Sequence, residues 1–134
     1  MLPTALVVED NSVVREFIRL KLETSGWRVR EAQDSASALK LFRQQRPQLV
    51  TLDLIMPINE GFDAMHLARL INDEAPEVAL LVVSAVGSRQ DIKDFMRKHD
   101  LEVFEKSPDD PSLRNLFSRT DVLFHELSAH SLLL

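Results

Sequence analysis

The sequence predicts an α/β fold, a doubly wound five-stranded parallel sheet with helices on both faces. Apolar runs of strand length alternate strictly with stretches of helical period, an order that implies right-handed crossovers between parallel strands. The two most apolar runs, the first and the fourth, read as inner strands buried on both faces. The second run, "WRVRE", alternates polar and apolar residues as an edge strand does.

The elements follow in order. Thr4 to Glu9 is the first strand, an apolar run closed by an acid. Val14, Phe17, Ile18 and Leu22 then recur at helical spacing, and Gly26 closes that helix. Trp27 to Glu31 is the second strand. Asp34 supplies an N-cap for a second helix through Ala38, Leu39 and Phe42 to Arg46, which Pro47 ends. Leu49 to Asp53 is the third strand, and Ala64, Leu67, Ala68 and Ile71 mark the third helix. Val78 to Ser84 is the fourth strand, with Ile92, Phe95 and Met96 on the helix after it. Leu101 to Lys106 is the fifth, and a last helix runs from Pro111 to near the C-terminus. That helix carries Leu113, Leu116, Phe117, Leu123, Phe124 and Leu127 and ends in Leu132 to Leu134. It is more apolar than burial on one face requires, so contact with a second copy, a homodimer, is expected there.

With 134 residues the chain is long enough for one domain with a real core, 1–134, and short for two. Its 45% hydrophobic and 28% charged residues exclude a disordered or fibrous class. A formal charge of -5 argues against a nucleic-acid partner, which needs a basic surface. The absence of cysteine excludes a disulfide framework, a thiol nucleophile and a thiolate zinc site. Glu9 and Asp10 interrupt the first apolar run, so no signal peptide is read, and no run is long enough to span a bilayer. A cytoplasmic location and no membrane partner are expected.

In an open parallel sheet, ligands bind beyond the carboxyl ends of the strands. The first strand here ends in Glu9 and Asp10, the third in Asp53, the fourth in Ser84 and the fifth in Lys106. Each has an ordinary reading alone. Asp53 could be a hydrated strand-end carboxylate, Glu9 and Asp10 acids at the start of a helix, Ser84 a turn hydroxyl, and Lys106 a solvated ammonium. Their order along successive strands favours a common site. Three crowded carboxylates call for a cation, and Mg²⁺ takes oxygen ligands while keeping waters. A divalent ion beside an ammonium and a hydroxyl suits a phosphoryl group in transfer, with Asp53 as the nucleophile that forms an acyl phosphate. Met56, Met65, Met96, Phe95 and Phe104 read as core filler. His66, His99, His125 and His130 lack metal-ligand spacing.

These residues resemble the receiver domain of bacterial two-component response regulators, over nearly the whole chain. The matching features are the Glu9-Asp10 pair, "DLIMPINEG" with Met56, Pro57 and Gly61 at their offsets from Asp53, Ser84-Ala85, and Lys106. The resemblance implies a flavodoxin-like, CheY-like fold with strand order 2-1-3-4-5. It implies that Glu9, Asp10, Asp53 and the backbone carbonyl of Ile55 organise Mg²⁺, and that Ser84 and Lys106 bind phosphoryl oxygens. Asp53 would accept the phosphoryl group from a sensor histidine kinase or a histidine phosphotransfer protein. The signal would pass to a downstream protein target or output domain through an altered surface, with no enzyme activity of the ordinary kind. The rival from another class is an interaction module with the receiver fold that does not use phosphate. An aspartyl-phosphate phosphatase would carry a second aspartate where Ile55 stands, a flavin site would need a phosphate-cradling loop where "EDNS" places two acids, and no Gly-x-x-x-x-Gly-Lys run offers a Walker-type nucleotide site.

Three positions depart from the family pattern. The usual Lys-Pro is Lys106-Ser107-Pro108, the usual aromatic three residues before the lysine is Val103, and the acid before Gly61 is Glu60. A differently built loop after Lys106 and the loss of an aromatic rotamer switch on the fifth strand are expected.

Overall fold

The computed structural model describes residues 2–57, 61–85, 89–106 and 111–133, with backbone only for Pro111, Ser112 and 130–133. Strands and helices alternate throughout: β1 (Thr4–Val8), α1 (Ser12–Thr24), β2 (Arg28–Ala32), α2 (Ser35–Gln44), β3 (Leu49–Leu52), α3 (Ala64–Glu74), β4 (Ala79–Ser84), α4 (Gln90–His99), β5 (Glu102–Glu105) and α5 (Pro111–Leu133). All neighbouring strands pair parallel, in the order β2-β1-β3-β4-β5. β2 and β5 are the edges, and their exposed positions Arg28, Glu31, Glu102, Val103 and Glu105 show it. The chain winds one way from β1 and the other way from β3, so strand order reverses between them, and Val8 is level with Leu52 there.

Side chains alternate between two apolar layers, as the period of a strand requires. Leu6, Val8, Val50, Leu52 and Val82 face Ala38, Phe42, Leu67, Ile71 and Ile92 on one side. Ala5, Val7, Leu49, Leu81 and Val83 face Ile18, Leu22 and Leu116 on the other. Met96 and Phe104 are buried, with Met56, Met65 and Phe95 packed partly buried against the core. Burying a side chain such as Phe42 contributes about 2–3 kcal/mol of transfer free energy.

Helix ends follow local chemistry. Gly26, at φ +113°, donates to the Glu23 carbonyl, and Trp27 N–H donates to that of Leu22, the paired bonds of a Schellman ending. The Asp34 carboxylate caps α2 by accepting from Ser37 N–H, and Asp63 does the same for α3 through His66 N–H. α2 stops at Gln44 rather than Arg46. Arg46 precedes Pro47 and is biased out of the helical region, and Gln45 is already extended at φ -150°. β1, β3 and β5 end one residue before Glu9, Asp53 and Lys106, and Ser84 closes β4. Phe17, expected on the buried face of α1, is 44% exposed, with its ring edge-on to Phe117 at 5.9 Å. The apolar residues Leu113, Leu116, Phe117, Leu123, Phe124 and Leu127 of α5 pack against the sheet, and Val122 is exposed. The expectations about Glu60, Ser107-Pro108 and Leu134 fall outside the described residues. Among the described residues no helix is long and apolar enough to cross a membrane.

Candidate functional site

Asp53 follows β3 at the point where strand order reverses, where open parallel sheets bind their ligands. Its N–H donates to the Val8 carbonyl, which ties the first residue beyond β3 to the end of β1. The carboxylate is 3% exposed, so burial demands partners for both oxygens. Oδ1 accepts from Ser84 Oγ at 2.7 Å and from Ile55 N–H at 2.9 Å. Oδ2 accepts from Lys106 Nζ at 2.8 Å. β4 delivers Ser84 and β5 delivers Lys106, and the two strand ends are joined by a bond from Lys106 N–H to the Ser84 carbonyl.

Glu9, the first residue past β1, is also buried. Its Oε2 accepts from Asn11 N–H at 3.0 Å. Its Oε1 lies 2.7 Å from Lys106 Nζ in a charge-assisted ion pair. Burial pushes the Glu9 carboxyl up to about 7; Lys106 and Asn11 pull it down, and the Asp53 charge adds to the rise. Burial works against the Lys106 ammonium, but its hydrogen bonds to Asp53 and Glu9 outweigh this and hold it above the ordinary lysine value. Asp10, next in the chain, is exposed.

Carboxylate oxygens of Glu9, Asp10 and Asp53 lie within 4.8 Å of one another. One ammonium pairs with Glu9 and Asp53, and the oxygen cluster of three acids can hold a hard divalent cation. All four expected strand-end groups, Glu9 with Asp53, Ser84 and Lys106, are thus in contact, and Asp10 borders them. Glu9 and Asp10 also stand at the start of α1, where Glu9 Oε2 accepts from the Asn11 N–H. Asn11 is the N-cap of α1, its Oδ1 accepting from Val13 and Val14 N–H. Arg15 was not anticipated: its Nη1 donates to the Glu9 carbonyl at 2.9 Å. Its place one helical turn beyond Asn11 was the available sequence signal. His66 and His125 are exposed and His99 is half-buried. Rings neighbour all three: Phe62 for His66, Phe124 for His125 and Phe95 for His99.

A family model for the response regulator receiver domain matches residues 5–118. The chain is 37% identical over 86 residues to the probable transcriptional regulatory protein TcrX of Mycobacterium tuberculosis, a match covering 64% of this chain and 37% of that protein. The chain therefore spans little more than a third of the length of such relatives. Among solved structures, the receiver domain of NtrX from Brucella abortus is 25% identical with a TM-score of 0.72, covering 87% of this chain and 96% of that one. A CheY-like receiver domain protein from Methanospirillum hungatei JF-1 is 18% identical with a TM-score of 0.78, covering 97% and 99%. That second likeness is one of fold, and the shared architecture is the CheY-like flavodoxin fold.

Proposed function

The chain belongs to the response regulator receiver domain family of two-component systems, and on that premise we propose that it is a phosphoacceptor whose reactive group is Asp53. The observation that carries this is the Asp53 carboxylate itself, buried at the switch point with a hydroxyl and an ammonium already on its two oxygens. In the proposed transfer an Asp53 oxygen bonds to phosphorus. The bond from phosphorus to the donor's nitrogen or oxygen breaks, and its electron pair leaves with the donor. Ser84 Oγ and Lys106 Nζ, which now hold the carboxylate, turn to the incoming phosphoryl oxygens. Charge-assisted hydrogen bonds of that kind are roughly twice as strong as neutral ones.

The residues present fit Mg²⁺, since the donors are hard carboxylate oxygens of Glu9, Asp10 and Asp53 gathered within 4.8 Å of one another. Glu9, Asp10, Asp53 and the Ile55 carbonyl would hold the ion. When bound it would supply positive charge to the transferring oxygens. The phosphodonor is a histidine kinase or histidine phosphotransfer protein, and the recipient of the signal a protein target or output domain. Residues 1–134 act as a single receiver unit without enzyme activity of the ordinary kind, in the cytoplasm. A homodimer through α5 belongs to the same proposal, resting on exposed Val122. Sedimentation showing a monomer at high micromolar concentration, with and without beryllofluoride, removes it.

The test is incubation with acetyl phosphate and Mg²⁺ followed by intact-mass analysis. Wild type should gain one acid-stable, base-labile phosphoryl group and Asp53→Asn none. Equal labelling of both, or none of wild type while a control receiver is labelled, would favour the phosphate-independent interaction module.

A further inference from the structure

Glu9 is held through its backbone as well as its side chain. Its N–H donates to the Ala32 carbonyl at 3.0 Å, at the end of β2. Its own carbonyl accepts from Arg15 Nη1 at 2.9 Å. Arg15 stands on the first turns of α1, with its side chain 19% exposed and its Nε 3.7 Å from Glu31 Oε1 on β2. Glu31 is in turn 3.4 Å from Arg19 Nε, one turn further along α1. These contacts tie the start of α1 to the last residues of the edge strand and close around the peptide that joins Glu9 to Asp10. That peptide plane is shared: its carbonyl belongs to Glu9 and its nitrogen to Asp10. Whatever fixes the Glu9 carbonyl fixes the direction in which exposed Asp10 leaves the chain.

We propose that Arg15 is a positioning residue for the acidic site, acting through the Glu9 carbonyl to orient the Glu9-Asp10 peptide so that both carboxylates converge with Asp53. The role rests on the receiver reading above and adds a residue to it. Arg15 is not a ligand. Its guanidinium holds the Glu9 carbonyl with Nη1 while Nε faces Glu31 on β2. The surface ion pair at 3.7 Å adds little by itself, because exposed pairs are screened. The hydrogen bond to the carbonyl carries the effect.

The full chain should be compared as wild type, Arg15→Met and Arg15→Lys. Two readouts are needed: metal-free ¹H–¹⁵N spectra, and Mg²⁺ affinity by titration calorimetry. Arg15→Met keeps the apolar stem and removes the donor. Its metal-free spectrum should remain that of a folded protein, with the Asp10 amide displaced, and its Mg²⁺ affinity should fall about tenfold, as loss of a partner that orients a metal ligand does. Arg15→Lys can still donate to the same carbonyl and should recover most of that affinity. An Arg15→Met affinity within about twofold of wild type, or an Arg15→Lys protein as weak as Arg15→Met, would overturn the role. Absence of saturable Mg²⁺ binding by wild type would instead overturn the receiver reading and this metal role with it. An Asp10 amide unmoved in metal-free Arg15→Met would overturn the positioning itself.

Discussion

Lys106→Met isolates the electrostatic balance of the acidic site. Lys106 Nζ is 2.7 Å from Glu9 and 2.8 Å from Asp53, and the side chains of those acids are only 2% and 3% exposed. Methionine preserves the stem and removes the charge, leaving two buried carboxylates facing each other. Removing one partner of a buried ion pair costs 3–5 kcal/mol, and the 19% exposure of Lys106 places the loss at the lower end, about 3 kcal/mol at pH 8 without metal. With a urea slope of about 2 kcal/mol per molar, the unfolding midpoint should fall by about 1.5 M. Lys40→Met, on an exposed position of α2, is the control and should change stability by less than about 0.5 kcal/mol. Saturating Mg²⁺ should then recover at least half of the Lys106→Met loss, because a divalent ion among the same acids replaces the missing positive charge. Ligand at about a hundred times its dissociation constant stabilises by about 2.7 kcal/mol, enough for that recovery. A metal-free loss below about 1 kcal/mol would show that the acids are not electrostatically dependent on Lys106. A loss that Mg²⁺ leaves untouched would show that the cluster does not bind the ion.

Other outcomes follow from different parts of the molecule. Gly26→Ala should cost about 3 kcal/mol, because φ is +113° and a Cβ would lie 2.4 Å from Phe124 Cζ; urea unfolding followed by Trp27 fluorescence measures it, and a loss under about 1 kcal/mol would contradict the packing. The folded pKa of Glu9, about 7, lies above its ordinary value of 4.5, so its contribution to metal-free stability is complete below about pH 4.5 and is lost as pH rises through 7. Glu9→Gln should remove that part of the slope, and identical pH profiles for both proteins would refute the assignment. On the receiver reading, beryllofluoride should shift Ser84 and the start of α4 in NMR spectra while the Val103 rotamer stays put. Val103 is 37% exposed and stiff at its first torsion, and a response with Ser84 and α4 silent would rule this route out.

The sequence alone determined what depends on neighbours along the chain. Period-two and period-3.6 patterns placed five strands and five helices in order. The alternation of Arg28 to Glu31 marked an edge, Asp34 marked a helix start, and Gly26 marked a helix end that only a residue tolerant of positive φ closes without strain. It also put an acid, hydroxyl or ammonium at the end of four strands, and a family resemblance supplied their order in the sheet. Tertiary structure decided what depends on neighbours through space. The side-by-side placement of β1 and β3 sets Asp53 against Glu9, and β4 and β5 bring Ser84 and Lys106 onto it. Composition could not say that Glu9 is buried deeply enough to raise its pKa, since desolvation is a property of the folded surface. Nor could periodicity tell that Phe17 would lie at the flank of α1, where α5 leaves its ring half in water. Asn11 is the N-cap of α1 because its short amide reaches the free N–H groups of Val13 and Val14, while Glu9 accepts from the Asn11 N–H with one oxygen and turns the other inward to Lys106. Arg15 shows the same limit: its helical position was legible, but its hold on the Glu9 carbonyl exists only once β2 and α1 have closed around that peptide.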